Sequence, residues 1–200
     1  MQENLAAFKQ HVREVAGNPR FVHHKWFVRW HLQIVESIAN EILALHSEAD
    51  RDLVATMVWL HDYGKILDFD TQYTTTLTAG KKKLAELGFP AAFVDRAITY
   101  IAMLDKKLEL DLRKAPIEVQ IVSSADGCSH MVGPFLTIFW HEATDKTFTN
   151  KTYEELMALN RKKIDQDWNY KIVLPEARKA FEARYAFHRE QSGELPAKFL

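Results

Sequence analysis

Apolar residues along this chain recur every three or four positions and almost nowhere at every second one, so the pattern predicts helices throughout. Residues 3–16 read as a short amphipathic helix. Asn18-Pro19 reads as a cap followed by a first helical residue, opening a helix that runs to about His46. A polar break at 47–50 precedes a helix over 51–62, and Gly64 is expected to end that helix through a left-handed turn. Residues 66–75 read as a polar loop, followed by helices at about 76–87 and 91–104 with Gly88-Phe89-Pro90 between them. A charged connection at 105–115 leads to Pro116, which opens a helix that Gly133-Pro134 breaks before 135–141. Helices at about 152–164 and 175–190 complete the chain, the last with Pro175 at its start. No alternating stretch is long enough for a convincing strand, so the expected fold class is all-α.

Some of the apolar stripes carry polar residues. Phe27, Val28, Ile34, Val35 and Ile38 lie three, four or seven residues from His31, which puts His31 on a buried face. Val54, Met57 and Val58 share a side with His61, Val58 and Trp59 flank Asp62, and Val119 and Val122 stack under Asp126. A carboxylate among valines is costly unless a charge or strong donors compensate it. Taken singly, each position reads as a hydrogen-bonded core histidine or a helix-end aspartate. Together, two histidines and two aspartates predict one compensating object, a divalent cation. His61 and Asp62 diverge by about 100° on a helix, so both reach one ion only beside the helix end. His31 and Asp126 then approach from two other helices. This donor set suits Mn, Fe, Co or Ni better than Mg. It also leaves positions open for water or substrate oxygen, which separates a catalytic site from a closed structural one.

The run Trp59-Leu60-His61-Asp62-Tyr63-Gly64-Lys65 is an HDxGK motif closing an apolar helix. His31 precedes it on a helix, and Asp126 ends Ile121-Val122-Ser123-Ser124-Ala125-Asp126 after it. The arrangement resembles the HD-domain superfamily of metal-dependent phosphohydrolases, with its H…HD…D signature, over roughly residues 18–132. The resemblance implies an HD-domain-like helical bundle with a metal site between helices. It implies a single HD-type domain over 1–200, with a signature core at about 18–132 and a C-terminal helical extension at about 133–200. It further implies hydrolysis of a phosphomonoester or phosphodiester, in a nucleotide or another small phosphorylated metabolite. Lys65, Asp62 and Asp126 are the expected catalytic residues, with the Lys65 ammonium meeting phosphate oxygens. His24, two turns before His31, is a candidate substrate-binding residue, as are Lys25, Arg29 and His130, the last four residues after Asp126. Many relatives carry further histidines for a second metal. The corresponding stretches here, 73–81 and 97–103, contain none, which points to one divalent ion. Two rival readings are a catalytically weak metal- and nucleotide-binding sensor of the same fold, and a metal-free helical adaptor with a buried ion-pair cluster.

Composition narrows the partners. The chain has 200 residues, 47% of them hydrophobic, enough for an ordinary globular core. A net charge of −1 provides no general basic field for nucleic acid or an anionic membrane. Cys128 is the sole cysteine, so no intramolecular disulfide forms. The opening MQENLAAFKQHVREV lacks a signal-peptide pattern. No apolar run approaches the ~20 residues that span a bilayer. A cytoplasmic protein with a small phosphorylated substrate and no membrane partner is the expectation, and a homo-oligomer is compatible with it. Lys81-Lys82-Lys83 reads as a solvated helix face. Trp26, Trp30, Trp59, Trp140 and Trp168 read as core anchors, and His11, His46, His141 and His188 show no pairing pattern.

Overall fold

Every regular element among the described residues is helical, and no strand occurs there. The structure, a computed structural model, describes residues 1–133, 136, 152–194 and 198. The expected segment at 135–141, with Trp140 and His141, lies outside these apart from Leu136. In chain order the elements begin with α1 (Gln2–Ala16), a π turn at Val28–Leu32 and α2 (Gln33–Leu43). α3 (Arg51–Leu60), α4 (Tyr63–Leu67), α5 (Gln72–Glu86) and α6 (Ala91–Asp105) follow. A 3-10 turn (Leu112–Lys114), α7 (Ile117–Ser129), α8 (Tyr153–Gln166), a second π turn (Asp167–Lys171) and α9 (Pro175–Gln191) complete the order.

The core forms around α3. Leu53, Val54, Met57, Val58, Trp59 and Leu60 are all buried, so the helix is apolar on every side and must be enclosed. α1, α2, α6 and α7 enclose it. Asp50 caps its N-terminus by accepting a hydrogen bond from the Leu53 amide at 3.1 Å. α7 is also buried along its length and carries the C-terminal segment on its far side. There Ser123 Oγ donates to the Lys171 carbonyl at 2.9 Å, and Ser124 Oγ accepts from the amides of Val173 and Leu174 at 3.1 and 3.2 Å. Gly127 permits this approach, since a Cβ at that position would lie 2.8 Å from Ile172 Cγ1.

Four expectations from the sequence are corrected. The helix expected to start at Pro19 starts only at the π turn, and residues 17–26 run as successive turns. Asn18 Oδ1 accepts from the Arg20 amide at 2.9 Å, closing a local turn instead of capping a helix. Phe21, His23, Trp26 and Phe27 are all buried, and a helix would set Phe21 and His23 about 200° apart. The turns direct all four inward, with the Phe21 ring edge-on to Phe27 at 5.1 Å.

Gly64 makes no left-handed turn. It lies inside α4, and its value is the missing side chain: a Cβ would sit 2.0 Å from the Gln72 carbonyl oxygen and 2.4 Å from the Thr76 amide. α4 and α5 cross backbone to backbone at this point, with the Gly64 amide donating to Thr76 Oγ1 at 2.9 Å. That docking also orders residues 72–75 as the first turn of α5, where a loop was expected. Finally, Trp26 and Trp59 are buried, but Trp30 is 39% exposed with the Arg29 guanidinium over its ring. The wider π turn rotates it off the apolar stripe.

Candidate metal centre

His31, His61, Asp62 and Asp126 arrive from four places: the first π turn, the end of α3, the α3–α4 junction and α7. The structure brings all four to one point. His31 Nε2 lies 3.3 Å from His61 Nε2, 3.2 Å from Asp62 Oδ2 and 3.7 Å from Asp126 Oδ1. His61 Nε2 lies 3.6 and 3.7 Å from the same two carboxylate oxygens.

The hydrogen bonds on the outer side of each ring fix the tautomers. His61 Nδ1 is 2.8 Å from the Val58 carbonyl, which only accepts, so Nδ1 carries the proton. Ser129 Oγ gives its single proton to the Asp126 carbonyl at 2.7 Å, so at 3.2 Å it accepts from His31 Nδ1–H. Both Nε2 atoms therefore turn lone pairs toward each other and toward two carboxylates. Burial lowers the pKa of His31, which keeps that ring neutral. Lone pairs and anionic oxygens converging at this distance repel unless a cation lies among them. The donor set fits a divalent ion, and the outer hydrogen bonds are those that orient histidine ligands.

The carboxylates stay ionised despite their depth. Burial works to raise Asp62, but Lys65, whose Nζ donates to Oδ2 at 2.7 Å, outweighs it and holds it well below the usual range. Burial likewise opposes ionisation of Asp126, and Lys171, which donates to Oδ2, overcomes it. Lys65 therefore starts as the ion-pair partner of Asp62, inside α4, and is not a loose lysine past a helix end.

One cavity of about 240 Å³ opens beside the cluster, lined in part by His61, Asp62, Asp126, Lys65 and His130. His130 is the one expected substrate residue that reaches it. α7 runs on past Gly127, so His130 Nε2 faces Asp126 Oδ1 at 3.3 Å and its ring stacks on His31. Together His31, Asp126 and His130 form a second group whose donor atoms could hold a cation, sharing His31 with the group of His31, His61 and Asp62. His24, Lys25 and Arg29 are not among the residues lining the cavity. His24 Nδ1 is tied to the Phe21 carbonyl at 2.9 Å, and Lys25 and Arg29 are exposed. The placement of His24 assumed seven-residue helical spacing back from His31, with Lys25 and Arg29 on the same rim, and the turns before Phe27 and the π turn after it remove that spacing.

The structure also recruits residues that the sequence pattern did not single out. Asp167, on the second π turn, accepts from His130 Nδ1 at 2.8 Å, and Lys163 donates to both of its oxygens at 2.7 Å. Burial, then Lys163, lowers His130 to about 3, so this ring is neutral as well. Lys163, Asp167 and Lys171 are spaced i, i+4, i+8, a one-face signature that could have been noticed in the sequence. Asp105 and Lys107, at the end of α6 and just past it, line the cavity with no sequence signal to mark them. Burial pushes the Asp105 carboxyl up to about 6, with Asp62 adding to the effect against the opposing charge of Lys107. Its Oδ2 is buried with no hydrogen-bond partner among the described residues.

Comparison with curated proteins yields no match, and comparison with solved structures yields none either. A family model described as HD domain matches residues 29–131, more than half of the chain. The match takes in His31, the His61-Asp62 pair and Asp126, the residues that the tertiary structure packs around one point, and the chain belongs to the HD-domain family.

Proposed function

We propose that this protein is a metal-dependent phosphohydrolase. It would cleave a phosphoester in a nucleotide or another small phosphorylated metabolite, using one divalent cation held by His31, His61, Asp62 and Asp126. The HD-domain family consists in general of hydrolases of this kind. The observation that carries the reading is the pair of inward Nε2 lone pairs beside two ionised carboxylates, at the edge of a cavity walled by lysines. Nitrogen donors favour Mn, Fe, Co or Ni over Mg. A cation bound there supplies Lewis acidity, polarising phosphoryl oxygen and acidifying water.

The chain's own groups do the rest. Ser129 and the Val58 carbonyl hold the imidazoles in the ligating tautomer. Asp167 and Lys163 lock the His130 ring against Asp126. Lys65 stands at the Asp62 side of the cavity, where its ammonium faces the negative charge of a transferred phosphoryl group. Asp105 moves the proton. With a pKa pushed up to about 6 its carboxyl is mostly ionised at neutral pH and takes a proton readily there, since Oδ2 has no donor to stabilise its charge. A group of this kind supports turnover over the weak-sensor reading, which drew on the lack of an evident base.

The test is metal analysis of protein purified without chelator, with phosphate release measured over a panel of monoesters and alcohol release over a panel of diesters. About one equivalent of metal per chain and turnover that disappears in His61→Ala and Asp126→Ala are expected. Wild-type protein that holds metal and binds nucleotides but hydrolyses neither class of ester would refute the hydrolase reading in favour of a sensor.

A further inference from the structure

The cavity beside the metal cluster is walled by four lysines and four aspartates, so its side-chain charges cancel. Three of the lysines are engaged: Lys65 on Asp62, Lys171 on Asp126 and Lys163 on Asp167. Lys107 is different. No carboxylate lies within ion-pair distance of its ammonium among the described residues, and Asp105, the remaining aspartate, is likewise in no ion pair there. Lys107 sits on the turn after α6 and borders both this cavity and a shallower hollow lined by Leu108, Leu110 and Tyr170. It therefore stands where the cavity adjoins that hollow. Burial and then the neighbouring charge of Lys171 lower its pKa, so it occupies a position that an arriving anion relieves.

We infer that the site takes phosphomonoesters as dianions in preference to phosphodiesters, and that Lys107 is the residue that selects them. The inference rests on the metal-dependent reading above. With the side chains cancelling, a divalent cation leaves the site with two positive charges. A phosphomonoester, whose second ionisation lies near pH 6, brings about two negative charges at neutral pH, and a diester brings one. Size acts in the same direction. About 240 Å³ is below the ~300–1,000 Å³ of pockets that bury a whole drug-sized ligand. A phosphoryl group with one arm asks less of that volume than a phosphoryl group with two. The third phosphoryl oxygen of a monoester is charged and carries no arm, and Lys107 is the lysine at hand to meet it.

The experiment is calorimetric titration of manganese-loaded protein with phenylphosphonate, a non-hydrolysable monoester analogue, and with its monomethyl ester, which carries a single charge. A hydrogen bond to a charged group corresponds to a preference of about 10- to 100-fold for the dianion. In Lys107→Gln the preference collapses toward one with metal content unchanged, and Lys107→Arg restores most of it. Equal binding of both ligands by wild type, tighter binding of the ester, or no binding of either overturns the inference, and that comparison decides even if a variant fails to fold. A preference that survives in Lys107→Gln removes Lys107 from the role. Turnover, measured separately as phosphate freed from monoesters and alcohol freed from diesters, distinguishes the two readings. Dianion preference without turnover sinks the hydrolase and leaves the ligand class standing. Diesters cleaved as fast as monoesters sink the ligand class and leave the hydrolase.

Discussion

Ser129→Ala removes the hydroxyl that sets the tautomer of His31 and touches neither the cavity nor any carboxylate side chain. Ser129 Oγ accepts from His31 Nδ1–H at 3.2 Å and donates to the Asp126 carbonyl at 2.7 Å, and the residue is fully buried. Without it the ring can place its proton on Nε2, the atom that faces the other three ligand-type residues. Loss of such an outer partner lowers metal affinity by about 10- to 100-fold, or about 1.4–2.7 kcal/mol. The metal-free fold also weakens by about 1–3 kcal/mol, because a buried N–H loses this acceptor. Metal affinity is read by competition against a chromophoric chelator, and stability by urea melts with and without metal. Thr56→Ala is the control, since the buried Thr56 hydroxyl donates only to the Asp52 carbonyl within α3. It should lose stability on the scale of about 1 kcal/mol and keep its metal. If Ser129→Ala binds metal within about twofold of wild type, well short of an outer-partner effect, the tautomer argument fails and the Nε2 atoms need not face a cation.

Gly64→Ala should cost at least the upper end of the ~1–3 kcal/mol of ordinary overpacking, because its Cβ meets the backbone of Gln72 and Thr76. Gly80→Ala should cost clearly less: its Cβ meets the flexible end of Leu60 at 2.6 Å, and alanine regains helix propensity. Urea melts rank the two, and the reverse order refutes the close helix crossing. Burial first, and Lys65 next, lower His23 to about 4, against about 6.5 in the unfolded chain. Between those values the unfolded chain binds a proton that the folded one refuses, so stability falls as pH drops from about 6.5 to about 4, by up to ~1.4 kcal/mol per unit. His23→Phe should flatten that slope in melts at stepped pH, and an unchanged slope rejects the assignment. Lys65→Ala should keep its metal at neutral pH and lose about 10²–10³ in kcat. The acid limb of its metal binding should move to higher pH, because Asp62 loses the cation that holds its pKa down. Full activity with an unmoved limb would demote Lys65 to a structural lysine.

The sequence by itself determined the helical fold, the four ligand-type residues and the burial of His31 and Asp126, while His61 and Asp62 are only half-buried at the helix end. Those follow from local rules: apolar spacing of three and four places a residue on a face, and a histidine or aspartate on that face has to be compensated. Asn18 and Gly64 were misread by the same local rules, because what decides them is not local. Asn18 sits before a run of aromatic residues that fit no single helix face, and Gly64 is small because another helix touches its backbone. Only the tertiary structure decided which side chains share a cavity. Asp105, Lys107, Lys163, Asp167 and Lys171 lie 40 or more positions from the HDxGK motif, outside any spacing rule that could join them to it. Two π turns, at Val28–Leu32 and Asp167–Lys171, re-aim His31 and the C-terminal cluster by a widening that helical periodicity does not encode. Protonation states belong to the same category. Asp62 and Asp126 are held down by the lysine each one meets in space and Asp105 is pushed up by burial, and packing sets both, not position along the chain.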